Sequence, residues 1–363
     1  MTKINVKHDV LDDDLLYRKT KIQCGDISVT TPVNSTDTKI IHSQINEIYK
    51  KINSKDLDSA VRIDESLLFN KFKYSLTEGA INFPIINYDD TIFPENKNME
   101  MLADLCYEAG DVIVTPSWTS LLTQYEGEEL IKKLNELNNS FIERAKMKNN
   151  KTVVGLIPNK LPRFYLDDLL TTFFDNEISS FIVDCNGKSI DSGSKTWMRN
   201  LLLTLDSFKD DGFLYSINSY EGRFSKNSYS TAAKDYLSHG YGIDILGLNH
   251  IPPKLPESVW KEIEMKNDRT YKIFDRETYG YKRLLEDELK EYSQINIKED
   301  TKIPDLNKLR RVYNIAEKNK EDNILKQHLD EEQSVKKYVS EKNHVDSKFL
   351  ENTEKIKKKI RRN

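Results

Sequence analysis

Carboxylates, amides and one imidazole recur at a single kind of place in this chain, directly after short apolar runs. Asp184 and Asn186 follow Phe181-Ile-Val, and Asp89 and Asp90 follow Ala80-Ile-Asn-Phe-Pro-Ile-Ile-Asn-Tyr88. Asn218 closes Phe213-Leu-Tyr-Ser-Ile, Ser117 closes Asp111-Val-Ile-Val-Thr-Pro, and Asn159 closes Thr152-Val-Val-Gly-Leu-Ile-Pro. Asn249 and His250 end Ile243-Asp-Ile-Leu-Gly-Leu. A carboxylate so placed can be a nucleophile, a general base or an acceptor for the edge of a heterocycle. Asp184 fits that description, and equally that of an N-cap or Asx-turn residue. Asp89 and Asp90 are neighbours, so on a strand they point to opposite faces and at most one reaches a pocket. His250 suits acid–base work or a hydrogen bond to a base or phosphate, or a structural place before Pro252-Pro253. Asn159, Asn218 and Asn249 offer donors and acceptors to a heterocycle edge, and each is also a common turn residue. Tyr220, Arg223, Phe224, Lys226 and Tyr229 form an aromatic-basic loop, fit to stack a base, to hold phosphate or simply to pack.

The elements that position these residues alternate. Helical spacing is expected over Asn96–Ala109, Gly127–Lys146, Leu166–Phe174, Lys195–Phe208 and Thr231–His239, each between two of the apolar runs. Helical spacing also covers Ile40 to Asn53, with Ile41, Ile45, Ile48 and Ile52 near one face. A short β-rich entry, Thr20 to Thr30, stops at Thr31-Pro32. Strand-then-helix repetition predicts an α/β fold with a parallel sheet, here a (β/α)8 TIM-type barrel over residues 1–255. Chemistry in such a fold gathers where the strands end. Asp111 and Asp244 precede their strands and read as structural. Asp191-Ser-Gly-Ser194 reads as the cap of the helix beginning near Lys195. No GxGxxG or GxxxxGK[ST] run follows a strand, which argues against a dinucleotide or P-loop site.

After Pro252-Pro253 the texture changes. Residues 256–363 are expected to form a charged helical C-terminal extension, with Trp260, Tyr271, Phe274, Tyr279 and Tyr281 packing near its start. It ends in a basic, mobile tail, Lys355-Ile-Lys-Lys-Lys-Ile-Arg-Arg362, read either as solvated charge or as a nucleic-acid contact.

Across 363 residues, Lys+Arg 55 against Asp+Glu 59 gives a net charge of −4, which disfavours whole-surface attraction to nucleic acid or anionic lipid. Cys24, Cys106 and Cys185 form neither a disulfide framework nor a CxxC knuckle. No apolar run is long enough for a membrane span, and the N-terminus lacks a signal-peptide core. A cytoplasmic setting with no membrane partner is expected. A further alternative is an unrelated TIM-barrel hydrolase or lyase, weakened because no HxH or other clustered ligand set accompanies the strands.

Read in order, residues 18–253 resemble the tRNA-guanine (queuine/archaeosine) transglycosylase superfamily. Arg18-Lys-Thr-Lys-Ile-Gln-Cys-Gly-Asp-Ile-Ser-Val-Thr-Thr-Pro32 is similar to that family's opening hairpin. Phe93-Pro-Glu-Asn-Lys-Asn-Met-Glu100 with Ala109-Gly-Asp-Val-Ile-Val114 is similar to its Pro-Glu helix and Gly-Ala-Asp-Ile strand. Val153-Val-Gly-Leu-Ile-Pro158 is similar to the strand ending Val-Gln-Gly. Leu214-Tyr-Ser-Ile-Asn-Ser with Gly242-Ile-Asp-Ile-Leu-Gly247 resembles the last strand pair, where the family reads Gly-Val-Asp-Met-Phe-Asp-Cys.

The resemblance implies a TIM barrel that exchanges a guanine in nucleic acid for a 7-deazaguanine through an aspartyl intermediate. It also implies where this chain departs. The nucleophile's position falls on Gly247, and the Asp-Ser-Gly-Gly loop on Tyr88-Asp89-Asp90-Thr91. The base-reading Asp becomes Ser117 or Pro116, the Gln becomes Pro158-Asn159, and Gly-Gly-Leu becomes Asp184-Cys185-Asn186. The Cys-x-Cys-x-x-Cys zinc ligands are absent. The expectation is a transglycosylase-like protein for 7-deazaguanine exchange in DNA or tRNA, without a cofactor. Asp184, Asp89, Asp90 and His250 are its catalytic candidates. Asn159, Asn186, Asn218, Asn249, Ser117, Tyr220 and Arg223 are its binding candidates. The alternative is a non-catalytic nucleic-acid-binding or regulatory subunit, in a homo- or hetero-dimer.

Overall fold

The computed structural model of the chain describes residues 3–40, 43–148, 150–159, 161–190, 195–208, 211–225, 228–251, 258, 261, 270–296 and 305–361. The Asp191–Ser194 cap, Lys226, Pro252-Pro253, Trp260 and Arg362 lie outside the described residues.

Strands β1 (Ile4–Leu11), β2 (Arg18–Cys24) and β3 (Ile27–Thr30) form an antiparallel sheet. Then follow β4 (Val33–Asn34), β5 (Ile45–Ile52), α1 (Ser54–Arg62), α2 (Ser66–Lys73), β6 (Ile81–Tyr88), α3 (Asn96–Glu108), β7 (Ile113–Val114), α4 (Thr119–Leu122), α5 (Gly127–Met147), β8 (Val153–Pro158), α6 (Leu166–Asp175), β9 (Phe181–Asp184), α7 (Lys195–Phe208), β10 (Leu214–Ile217), β11 (Ser230–Ala232) and β12 (Ile245–Leu246). The result is mixed α/β, with a six-stranded parallel sheet in the order β4-β12-β10-β9-β8-β7 and a parallel pair, β5-β6. Isolated parallel bridges join Thr36 to Asn46 and Asn87 to Ser117, beside the two edges of the larger sheet.

One face of these strands buries Ile45, Phe83, Val114, Leu156, Ile182, Tyr215 and Ile245 together, with Ile22, Cys24 and Val29 of the first sheet closing one end. The other face packs under the helices through Ile48, Ile52, Ile86, Ile157 and Val183. Both faces being covered explains the continuous apolar runs. Asp244 sits at the closed end. It accepts hydrogen bonds from Arg18 Nε (2.9 Å), Thr20 Oγ1 (2.9 Å) and the Leu214 amide (2.8 Å), as its position before the strand suggests.

Three expectations are corrected. The helix expected from Ile40 to Asn53 is not found: Ile41 and His42 lie outside the described residues, residues 45–52 are strand β5, and the helix α1 begins only at Ser54. The spacing of Ile45, Ile48 and Ile52 imitates a helix because Ile45 buries on one face and Ile48 and Ile52 on the other. Thr231–His239 is likewise not an α-helix. Thr231 pairs with Tyr281 in an antiparallel sheet, and a 3-10 turn covers Tyr236–Tyr241. That pairing joins residues fifty apart in sequence, beyond any local spacing rule.

The third correction concerns the tail. The extension contains a hairpin, β13 (Tyr271–Asp275) and β14 (Gly280–Leu284), paired with β11 across the expected boundary at residue 255. Its last helix, Ser347–Ile360, packs on α7 and buries Phe349, Thr353 and Ile356, with Asp346 capping the Phe349 amide at 2.6 Å. Those residues recur at helical spacing beneath a lysine-rich outer face, so the tail is a docked amphipathic helix. A long helix, Leu306–Glu332, presents Glu321 and Asp322 to a buried tyrosine set. Asp322 accepts from Tyr236 (2.9 Å) and Asn34 (2.5 Å), and Glu321 from Tyr279 (2.8 Å) and Tyr338 (2.6 Å). No helix among the described residues is long and apolar enough to cross a membrane.

Candidate functional site

Side chains on a strand alternate, so the inward-facing apolar residues fix which later residues also face inward. Counting on from Ile45, Ile85, Val114, Leu156, Ile182 and Ile245 gives Glu47 and Tyr49, Asn87, Pro116, Pro158, Asp184 and Gly247 near the C-terminal ends of their strands. Polar groups therefore stand at the ends of β5, β6 and β9, and prolines at those of β7 and β8.

Glu47 has the most partners among these polar groups. Its side chain is fully buried, yet it accepts from Ser35 Oγ (2.8 Å), the Leu248 amide (3.2 Å), the Tyr215 hydroxyl and His250 Nε2. Burial pushes its carboxyl up. The His250 charge and the hydrogen bonds from His250, Tyr215 and Ser35 outweigh burial and hold it below the ordinary carboxylate value. Burial and the Glu47 charge push the Tyr215 phenol well up, so it remains a donor. An ionised carboxylate only accepts, so His250 Nε2 carries the hydrogen and Nδ1 is the ring's second working atom. Tyr49 stacks on the imidazole at 4.1 Å and 4°, which fixes the ring's plane. Burial, then the Asp184 charge, pushes the Tyr49 hydroxyl up to about 12.

Gly247 adjoins this carboxylate. A Cβ built there would meet Glu47 Oε2 at 2.7 Å, the Ser216 carbonyl at 2.5 Å and Ile217 Cγ2 at 2.7 Å. Glu47 thus fills the space that a side chain at position 247 would enter.

Asp184 ends β9 and is 8% exposed. Its Oδ1 accepts from the Asn186 amide and from Asn218 Nδ2, both at 2.9 Å. Asn218 faces the other way through Oδ1, which accepts from the His250 amide at 2.8 Å. Its own backbone amide donates to Leu248 O (2.9 Å) and its carbonyl accepts from Gly187 (2.8 Å). With φ 54, Asn218 takes a left-handed conformation that Asn tolerates better than most residues. Each polar atom of Asn218 has a partner, so its side chain positions Asp184 and the His250 backbone. Asn186, φ 48, shapes the same turn. One amide therefore ties the two leading candidates together, and His250 ties both to Glu47.

The remaining candidates fall outside this cluster or at its rim. Asp89, half-exposed, accepts from Ser120 Oγ (2.9 Å) and lies 3.7 Å from Lys51 Nζ. Asp90 is a turn and cap residue: it accepts from the Ser54 hydroxyl and amide at the start of α1, and from the amides of Thr91 (2.7 Å) and Ile92 (3.2 Å). The Ser54 hydroxyl holds its carboxyl below the usual range. Asp90→Ala should accordingly lower stability by about 1 kcal/mol, read from a urea midpoint. An unchanged midpoint would show that these hydrogen bonds do not hold the turn.

Asn159 contributes its amide to Asp184 O at 3.0 Å, and Asn249 caps a turn at the Ile251 amide, also at 3.0 Å. Ser117 faces away from the inner face, bonded to Thr119 Oγ1 (3.0 Å), and its backbone bridges to Ile86 and Tyr88. Tyr220 and Arg223 belong to a loop held by Lys272, whose Nζ donates to Gly222 O at 2.6 Å. In that loop Arg283 lies over the Phe224 ring at 4.7 Å, Arg223 is exposed, and Tyr229 is 84% exposed.

Glu47, Tyr49, Tyr215 and Asn87 carry no motif. Asn87 is within hydrogen-bonding reach of Tyr49, and its Oδ1 is buried without a partner. The signal available for Glu47 and Tyr49 was their parity with Ile45, usable only once residues 45–52 are taken as a strand. Among the described residues no group of three His, Cys, Asp or Glu could hold a metal ion. No protein-family model matches the chain, and no curated protein matches it.

Proposed function

We propose that the eight parallel strands form a (β/α)8-type barrel and that its polar end carries out transglycosylase-like base exchange in nucleic acid. The two isolated bridges support the barrel, since they link β5-β6 to each edge of the six-stranded sheet. The observation that carries the activity is Glu47. A carboxylate stands at Gly247, where the resemblance requires one, but it arrives from β5.

The chemistry divides between two carboxylates. Asp184, at the strand end, attacks the anomeric carbon and forms a C–O bond as the glycosidic C–N bond breaks. His250, protonated, gives its Nδ1 proton to the departing base. The neutral imidazole then takes a proton from the incoming base as that base displaces Asp184, which restores both groups. Glu47 keeps the Nε2 hydrogen in place and stabilises the imidazolium. The incoming base is of the 7-deazaguanine type, and the polymer is DNA or tRNA.

A second reading, a non-catalytic nucleic-acid-binding partner, is favoured by the full burial of Glu47 and the missing side chain at 247. Denaturing electrophoresis after incubation with guanine-containing DNA and tRNA separates the two. The enzyme reading expects a covalent protein–polymer adduct with one of them, and none from Asp184→Asn. Polymer binding without any adduct in the wild-type chain supports the partner reading, and an undiminished adduct from Asp184→Asn removes Asp184 as nucleophile.

A further inference from the structure

At the other end of the strands, remote from His250, lies a cavity of about 370 Å³. It opens between β1, the C-terminal parts of α6 and α7, and the helix Ser347–Ile360. Its volume is within the range of small-molecule sites. Leu16, Phe174, Leu202, Leu205 and Ile360 supply apolar walls.

Lys357 breaks that apolar lining. It is 9% exposed, it borders the cavity, and its ammonium has no hydrogen-bond or ion-pair partner among the described residues. The contrast with Lys342, the other buried lysine described, is direct. Lys342 is 7% exposed and donates to Tyr338 OH (2.8 Å) and Arg276 O (3.0 Å).

The acids nearby are committed elsewhere. Asp12 accepts from the amides of Asp14 (2.8 Å), Leu15 (2.6 Å) and Val335 (2.7 Å), and Asp13 pairs with Arg361 at 2.9 Å. Asp211 lies 3.8 Å from His8 Nε2, and Asp244 holds the Arg18 guanidinium at the cavity edge. Asp206 also lines the cavity and makes no ion pair with Lys357. Burial, then the charge of Arg361, pulls the Lys357 ammonium below the ordinary lysine value, against the opposing charges of Asp12 and Asp13. A cation largely withdrawn from water is stabilised by a directly paired anion, and this one borders the cavity with no such pair among the described residues, only the more distant charges of Asp12 and Asp13.

We propose that this cavity binds an amphiphilic anion, with its carboxylate or phosphate head on Lys357 and its apolar body against Phe174, Leu202 and Leu205. The site is independent of the polar strand ends and of whatever chemistry occurs there.

Calorimetry and thermal shift on the full chain, with one apolar body and four heads, test it. Octanoate or octyl phosphate should bind at least about tenfold more tightly than octanol, and octylammonium more weakly than octanol. Whichever anion binds better identifies the head group. Lys357→Met should bind octanoate no better than octanol, while its ligand-free Tm stays near that of the wild type, since the change removes no hydrogen bond or ion pair. Leu205→Trp, which fills the apolar wall, should weaken octanoate and octanol alike. Equal affinity for all four heads, no binding by either anion, or an anion preference that survives Lys357→Met would each overturn the proposal.

Discussion

On the proposed base exchange, Glu47→Gln should yield a folded protein whose turnover falls by about 10⁴-fold, the scale seen when a catalytic histidine is held in the wrong tautomer. The carboxylate accepts from Ser35, Tyr215, Leu248 and His250. An amide keeps one oxygen for Tyr215 and Ser35, so its nitrogen must face His250. A nitrogen donor there forces Nε2 to accept and moves the ring hydrogen to Nδ1, where the incoming base must deliver its proton. Nitrogen-15 shifts of His250 report the tautomer directly, and single-turnover kinetics report the rate. Wild-type turnover with an inverted tautomer would show that His250 does no proton transfer.

The same variant tests the acid limb of stability. The Glu47 carboxyl is held below its ordinary value of 4.5 in the folded chain, so the unfolded chain binds that proton more tightly. Its stabilisation is complete above 4.5 and disappears as pH falls through the lower, folded value. Urea midpoints measured downward from neutral pH should therefore fall less steeply for Glu47→Gln than for wild type. Parallel curves would mean that Glu47 titrates normally.

The parallel strands were legible because each is buried on both faces and therefore reads as an unbroken apolar run, as in Phe181-Ile-Val-Asp184. That same burial concealed β5. Its isoleucines are split between the two faces, so their spacing mimicked a helix and hid the inward pair Glu47 and Tyr49. That Asp184 and His250 stand at strand ends was legible from position alone, since both follow apolar runs. That Asn218 links them was not, because the link depends on a left-handed turn and a pairing across two strands. The docked C-terminal helix and the β11–β14 pairing rest on contacts between distant segments, which local spacing does not encode.

Gly247→Asp, which restores the residue type that the resemblance places there, should weaken the fold by about 3 kcal/mol or more and give no activity. Any Cβ at 247 meets the Ser216 carbonyl at 2.5 Å, and that carbonyl is already bonded to the Gly247 amide at 2.6 Å. Neither side of a strand pair moves freely, so overpacking alone costs about 1–3 kcal/mol. The new carboxylate then lies against Glu47, and two like charges in one buried space cannot both ionise cheaply. Gly247→Ala carries the steric part only and should lose less. Glu47→Ala combined with Gly247→Asp removes one carboxylate as it adds the other. If the two positions serve one space, the double variant should be more stable than the sum of the single losses predicts, by the coupling expected of residues in contact. Additive losses in chemical denaturation would mean that Glu47 and position 247 do not share that space, and the case for a relocated carboxylate would fall with it.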